Sequence, residues 1–168
     1  MTRKRGIKVP VSSGWIRFTP ELQASTSNPA IGTGANANAS GVYRRVGDSV
    51  QFVVAFTFGS TGAGFGTGSW RIGLPNGWRV DARKIATETS GVKAPVGIAA
   101  FWDSSGATGA STLVVSADHS ANSSYVNLHQ LGGGSNLNST APITWATSDT
   151  FNANFTVPIY GFSAFEQV

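Results

Sequence analysis

The sequence contains no cysteine, few charged residues and no long hydrophobic run, and each absence excludes a class of structure. Without cysteine, the chain forms neither disulfide bonds nor thiolate metal sites. No apolar stretch approaches the ~18 residues of a membrane-spanning helix. No apolar segment follows the basic start either, so we expect no signal peptide. Only 12% of the residues are charged, about half the usual share, so Ser, Thr, Asn and Gly supply most of the polar surface.

The net charge of +4 originates in one short segment at the start of the chain. Arg3, Lys4, Arg5 and Lys8 lie there with no acidic residue among them, and the other eight basic residues are balanced by eight acidic ones. We therefore predict a basic, extended N-terminal arm over residues 1–14 that anchors the protein to a partner. The alternatives are a solvated tail and a nucleic-acid contact; because no aromatic residues are interleaved, we expect no nucleic acid.

Two long segments alternate between apolar and polar residues, as β-strands with one buried face do. Residues 50–58 read V-Q-F-V-V-A-F-T-F, and residues 151–159 repeat the pattern. The side chains predicted to point inward are Phe52, Val54, Phe56, Phe155, Val157 and Ile159. About eight or nine strands at intervals of roughly a dozen residues predict an all-β fold. We expect a two-sheet β-sandwich, jelly-roll-like, formed by a single domain over residues 15–168.

Two segments are less regular. Residues 62–68 read G-A-G-F-G-T-G, which lacks the spacing and the following helix of a phosphate-binding loop. We predict a hairpin loop there, with Phe65 as an apolar tip that contacts a neighbour. Residues 78–94 predict either one or two helical turns with Asp81 as the N-cap or an excursion of a loop.

The residues typical of catalysis and metal binding are too few or too scattered to form a recognisable site. His119 and His129 are the only histidines, and no nucleophile elbow is present. Asp48, Asp103 and Asp149 fall in turns, where an aspartate side chain bonds its own backbone. We therefore expect no enzyme activity, no metal and no cofactor, although a catalytic triad or carboxylate pair is the alternative.

Five tryptophans are many for a chain of this length. Trp70 and Trp145 occupy positions predicted to face the core, whereas Trp15, Trp78 and Trp102 lie near the ends of elements. Aromatic side chains near loops either pack against the core or bind sugars and partner chains. Together with Phe65, the residues Trp78 and Trp102 are therefore candidate contacts for a partner or a glycan.

Four motifs resemble those of a known family. The segment G-V-Y-R-R-V-G-D-S-V-Q-F at 41–52 resembles a hairpin of the β-sandwich domains on the virions of tailed bacteriophages, and F-G-T-G-S-W-R-I-G-L-P at 65–75 is similar to the strand that follows it. A-P-I-T-W-A-T-S-D-T-F at 141–151 and V-P-I-Y-G-F-S at 157–163 resemble the family's closing segments, with Ser148 where Gly is usual.

The resemblance implies a non-enzymatic, usually homotrimeric domain exposed on the virion, as in tail fibres, minor tail proteins and head-attached proteins. It carries over no catalytic residues. Only about forty residues precede the matched part, without heptad or collagen repeats. We therefore expect a capsid decoration protein, made in the host cytoplasm and attached to a major capsid or tail protein at the virion surface. The alternatives are a tail-fibre or tail-tip protein that binds a host glycan and, more distantly, a glycan-degrading enzyme.

Overall fold

The protein folds almost entirely into β-strands in a computed structural model, which describes residues 8–10, 12–85, 94–106, 112–117, 122–130, 135–163 and 165–167. The strands are β1 (Lys8–Pro10), β2 (Ile16–Phe18), β3 (Glu21–Ala24), β4 (Asn38–Val46), β5 (Ser49–Thr57), β6 (Trp70–Gly73), β7 (Ala94–Trp102), β8 (Thr112–Ala117), β9 (Tyr125–Gln130), β10 (Thr150–Pro158) and β11 (Phe165–Gln167). The predicted all-β fold is confirmed.

Nine of these strands form one curled antiparallel sheet in the order β2-β4-β5-β10-β7-β8-β9-β6-β3. The prediction of two separate sheets is not confirmed, because the hydrogen-bonded ladder is continuous. Although β6 and β10 have three strands between them in this order, the rings of Trp70 and Phe151 lie 6.3 Å apart. The sheet therefore bends round far enough for its two halves to pack against each other.

A connection of two residues joins the two edges of the sheet. By its sequence, W-I-R-F-T-P-E-L at 15–22 predicts one short strand, with Pro20 at an edge or at the start of pairing. The structure has two strands there: β2 pairs with β4 at one edge, and β3 pairs with β6 at the other. Thr19 and buried Pro20 connect them. Because proline has no N–H to donate to a ladder, it suits the point where the chain leaves one edge for the other.

The core lies inside the curl and contains the side chains predicted to point inward. All six are almost completely buried: Phe52, Val54 and Phe56 on β5, Phe155 and Val157 on β10, and Ile159 directly after β10. An aromatic cluster formed by Phe58, Trp70, Trp145 and Phe151 fills the space between the two halves, with ring centroids of Trp70 and Trp145 5.0 Å apart. The core positions predicted for Trp70 and Trp145 are confirmed.

The Gly-rich segment is held to a neighbouring loop. Bridges connect Thr61 with Thr33, Gly64 with Ala30, and Thr67 with Ser27. Gly66 has a φ of +59°, and a Cβ there would overlap the backbone of the neighbouring loop, so the close approach requires glycine. The less regular segment after Trp78 contains one short 3-10 helix, Ala82–Lys84, whose N-cap Asp81 accepts a hydrogen bond from the Arg83 amide. The predicted capping role of Asp81 is thus confirmed.

Candidate interaction surfaces

Three neighbouring strands of the sheet, β5, β10 and β7, contain no charged residue. Their outward side chains form a surface that we call the outer face. Across it, Val53 lies opposite Asn154, which lies opposite Ile98. Ile98 is 64% exposed, the largest fraction among the large hydrophobic residues described. A sheet face that points to solvent normally carries charged or strongly polar side chains, so an uncharged face with an exposed isoleucine indicates a contact surface.

Amides and small side chains complete the outer face. Asn152 lies between Ala55 and Ala100 in the neighbouring strands. A shallow groove of about 230 Å³ runs between Val53 and Ile98, with Asn152 and Asn154 in its lining. Each asparagine offers both a donor and an acceptor. The face can therefore form hydrogen bonds with a surface of its own composition.

A second surface lies where the β4–β5 hairpin turns, and we call it the basic end. Five basic residues from different parts of the sequence lie near this turn: Arg44, Arg45, Arg79, Arg83 and Lys84. Arg44 is on the outward side of the sheet and Arg45 on the inward side. Lys84 Nζ donates to Asp48 in the hairpin turn at 2.7 Å, and the backbone oxygen of Arg79 accepts a hydrogen bond from the Tyr160 amide. The fold thus concentrates basic residues that the sequence disperses among equal numbers of acidic ones.

Aromatic rings support several of these guanidinium groups. The Arg44 guanidinium carbon lies 4.8 Å from the ring centroid of Trp15, and that of Arg83 lies 5.1 Å from the ring of Tyr160. Trp15 and Tyr160 are 47% and 52% exposed. Arg45 has a different role, because it stacks on Phe162 and donates to two backbone carbonyl groups.

Asp48 and Asp81, near the hairpin turn, both accept hydrogen bonds from basic side chains. Asp81 is buried and accepts two hydrogen bonds from the Arg83 guanidinium at 2.9 Å, and this pairing lowers the pKa of Asp81 despite burial. The hydrogen bond from Lys84 is the main cause of a lowered pKa at Asp48. Among the described residues, Arg44 and Arg79 form no ion pair.

The terminal segments join the fold at the basic end. Ser13 exchanges hydrogen bonds with Arg45 on β4, and β1 pairs with β11. Val9, Pro10 and Val11 predict, by their sequence, an extended segment that pairs with the sheet edge of a neighbour. In the structure, β1 pairs instead with the chain's own β11. Of the predicted anchoring residues, Lys8 lies in β1; Arg3, Lys4 and Arg5 lie outside the described residues.

The remaining predicted contact residues lie in three different places. Trp102 is 46% exposed and continues the outward row of Ile98 on β7, so it belongs to the outer face. Trp78 is partly buried, with its ring 5.0 Å from that of Tyr43. Phe65 is not an isolated tip, because its ring packs against Phe58 with a centroid distance of 4.9 Å.

The residues considered for catalysis lie in turns or on a strand wherever the structure describes them. Asp103 accepts hydrogen bonds from the amides of Ser105 and Gly106, as predicted for a turn aspartate. Asp149 is buried and accepts from Ser104 and from the Ala146 amide, so it joins two turns. His129 lies on β9 opposite Val114, and His119 lies outside the described residues. Within the described part of the chain, no group of histidines and carboxylates has the arrangement of a metal site.

An open pocket lies at the end of the sheet that holds the Gly-rich segment. It has a volume of about 560 Å³, and serine, threonine, asparagine and glycine residues form all of its lining: Ser25, Thr67, Gly68, Ser69, Ser135, Asn136, Asn138, Ser139 and Thr140. Asn136 donates to the Ser69 hydroxyl at 2.7 Å, which connects two of its walls. The lining provides hydroxyl and amide groups without charge.

The basic end was not predicted, although the sequence contains a local indication of it. The pairs Arg44–Arg45 and Arg83–Lys84 are each adjacent basic residues outside the arm, but only the fold brings them to the same end of the sheet.

Among the described residues, no helix is long and apolar enough to cross a membrane. No protein family, no characterised protein and no solved structure matches the chain.

Proposed function

We propose that this protein is a non-enzymatic structural subunit that assembles with copies of itself, as a trimer, on the outer surface of a tailed-phage virion. The observation that carries the self-assembly is the uncharged outer face, with Ile98 and Trp102 exposed on it. The virion setting is supported by the four motifs that resemble phage surface domains. A role as capsid decoration suits a compact domain with a basic segment at one end.

The composition of the outer face favours a copy of the same chain as its occupant. A partner rich in charge would leave its own charged groups desolvated against Val53 and Ile98, which is unfavourable. A second copy meets the face with apolar side chains and with amides that pair among themselves. Closed cyclic symmetry is the usual way in which identical subunits cover such surfaces.

The residues behind the resemblance act in folding. Tyr43, Trp70, Trp145 and Phe162 lie in the four motifs, and their rings pack in or against the core. In this chain the motif residues therefore stabilise the interior. This supports a related fold used in a structural role, and it assigns no chemistry to the chain.

Sedimentation equilibrium of the purified protein tests self-assembly. We expect a trimer for the natural sequence and a monomer for Ile98→Lys, because the lysine places a charge in the contact. Ile16→Lys is the matched control: Ile16 is 45% exposed on β2, but it lies opposite Tyr43 and so on the other side of the sheet from the outer face, so the trimer should persist. A monomeric natural protein at micromolar concentration, or a trimer of Ile98→Lys, contradicts the proposal.

Electron microscopy of virions labelled with an antibody to this chain tests the location. We expect label on the outside of the head, at regular positions. Label confined to the tail tip favours the alternative of a receptor-binding protein, and particles without label contradict both interpretations.

The uncharged polar pocket favours receptor binding as a second candidate function. Hydroxyl and amide groups recognise neutral sugars by hydrogen bonding, so the ligand would be a host glycan. Binding of the protein to an array of neutral glycans, lost in Asn138→Ala but retained in Ile98→Lys, supports this candidate. No binding to any glycan argues against it.

A further inference from the structure

We propose that each subunit inserts Ile98 into a recess between β4 and β5 of the next copy, so that the trimer closes through two different patches. This inference rests on the proposed self-assembly, and it identifies where on the neighbouring copy the outer face binds. The recess lies at the β4 border of the outer face, on the outward side of the sheet, and Val42, Val53 and Ala55 contribute to its lining.

The recess and Ile98 lie in one row across the sheet. Val42 is opposite Val53. Val53 in turn is opposite Asn154, which is opposite Ile98. Neighbouring strands are about 4.8 Å apart, so three strand spacings separate Val42 from Ile98 by roughly 14 Å. Ile98 is therefore too far away to fill the recess of its own chain, and only another copy can supply it there.

The recess suits one branched aliphatic side chain in size and in chemistry. Its volume is about 170 Å³, and a cavity of about 150 Å³ accommodates benzene, which is bulkier than an isoleucine side chain. Val42, Val53 and Ala55 offer aliphatic groups for contact. Because Ile98 is 64% exposed, its insertion would remove apolar surface from water on both copies, which favours association.

Symmetry requires two different patches if the assembly is a trimer. A patch that binds the same patch on a neighbour joins two chains about a twofold axis, whereas a closed ring of three forms when one patch binds a different patch on the next chain. The groove of about 230 Å³ on the outer face has Ile98 itself in its lining, so insertion there would bring like patches together. The recess is separate from Ile98 and can therefore serve as the second patch.

The charge beside the recess is compatible with an uncharged neighbour that carries an exposed tryptophan. Arg17 lines the recess, is exposed and forms no ion pair with any described residue. Trp102 lies on the same outward side of β7 as Ile98, four residues further on and about 13 Å away. A guanidinium group can stack on a tryptophan without a carboxylate, as Arg44 does on Trp15 within the chain. A copy of this chain therefore complements the recess in charge.

Single cysteines test the contact, because the natural chain contains none. Ile98→Cys and Val42→Cys chains with tags of different size are co-expressed, purified and treated with a copper–phenanthroline oxidant. We expect a disulfide-linked heterodimer on a non-reducing gel, because the proposed contact brings the two Cβ atoms to about the 4 Å that a disulfide needs. The matched control pairs Ile98→Cys with Ile16→Cys: Ile16 is 45% exposed, but it lies opposite Tyr43 and so on the other side of the sheet.

The cross-linking pattern separates this proposal from self-assembly itself. A heterodimer that is absent from either variant alone and from the control supports the proposal. A cross-linked dimer of Ile98→Cys alone shows that like patches meet and overturns it, as does a trimer in sedimentation that gives no cross-link in the mixture. Both of these results leave self-assembly intact, whereas a monomeric natural protein contradicts self-assembly and this inference with it.

Filling the recess gives a second measurement that does not depend on thiol chemistry. Ala55→Trp places an indole group in the recess, and we expect loss of the trimer at micromolar concentration in sedimentation equilibrium. Far-ultraviolet circular dichroism checks that the variant keeps its β-structure. Ile16→Trp, on the other side of the sheet, should remain trimeric. A trimeric Ala55→Trp overturns the proposal.

Discussion

Phe56 on β5 lies directly opposite Phe151 on β10, and their rings stack with 4.8 Å between centroids and 21° between planes. Both side chains are fully buried. This pair connects β5 with β10, the last strand of the nine-stranded sheet in sequence order. Because the two strands are about a hundred residues apart in the sequence, the stack is a direct measure of whether the long-range pairing has formed.

The first prediction concerns this stack. Phe56→Ala should lower the free energy of unfolding by about 3–5 kcal/mol, through the lost transfer of the ring from water and the cavity that remains. Ile16→Ala is the control, because Ile16 lies on the edge strand β2 and is 45% exposed, and we expect a loss of less than about 1 kcal/mol. Denaturant unfolding followed by tryptophan fluorescence measures both. Similar losses for the two variants would contradict the burial of Phe56.

The second prediction concerns the bulge in β7 between Pro95 and Gly97. A Cβ at Gly97 would overlap the carbonyl oxygen of Asn154 and the Cβ of Phe155. Gly97→Ala should therefore destabilise the fold by about 1–3 kcal/mol or more, because backbone atoms on β10 have to move. Gly14→Ala is the control, since a Cβ there meets nothing within 4 Å. An unchanged melting temperature for Gly97→Ala would show that the bulge can relax.

The third prediction is a dependence of stability on pH. Arg83 lowers the pKa of Asp81, mainly through its side-chain hydrogen bonds. A carboxyl group whose pKa is lower in the folded state stabilises that state fully above the unfolded pKa of about 3.9. The contribution is lost as the pH falls through the folded value. Thermal melts between pH 7 and pH 2 should show a smaller acid-induced loss in Asp81→Asn than in the natural protein, and an equal loss would contradict the pairing.

The fourth prediction concerns the basic segment at the start of the chain. Deleting residues 2–7 should leave the fold and the trimer intact while weakening attachment to virions, with the weakening largest at low salt because exposed charges are screened. Deleting residues 2–13 should also cost stability, because Ser13 exchanges two hydrogen bonds with Arg45. Co-sedimentation with particles and thermal melts distinguish the two deletions. Full occupancy of particles by the shorter deletion would argue against an anchor in these residues.

The fifth prediction separates a structural protein from an enzyme. His129→Ala and His119→Ala should leave particle assembly and infectivity unchanged, because the sequence contains no nucleophile elbow that would work with either histidine. Hydrolysis of a host glycan or peptidoglycan by the purified protein, abolished by either substitution, would show that the chain is an enzyme.

Local features of the fold could be predicted where one residue pattern determines one element. The alternation in residues 50–58 identified β5 and its buried face, and Asp81 was placed as a helix cap from its position before A-R-K. The order of strands could not be predicted, because the pairing of β10 with both β5 and β7 depends on contacts between distant segments. The same limit applies to the break at Pro20. It can be recognised only once β2 is known to pair with β4 and β3 with β6.

The interaction surfaces show the same limit. The absence of charge in β5, β7 and β10 can be read directly from the sequence, but their adjacency cannot, so a single continuous outer face was not foreseen. Trp102 was proposed as a contact because it lies near the end of an element, and the fold places it on that face. The basic end was missed because equal numbers of basic and acidic residues follow the arm, and a sum of charges says nothing about where the fold collects them.

The position of β10 in the interior of the sheet also determines when the protein can fold. On the ribosome, β5 and β7 are synthesised long before β10, and each lacks a neighbour on one side until that strand emerges. No early subset of strands can therefore complete the curl, and closure waits for nearly the whole chain. Topologies that depend on such distant pairings fold slowly, so a nascent chain of this protein displays open strand edges for most of its synthesis.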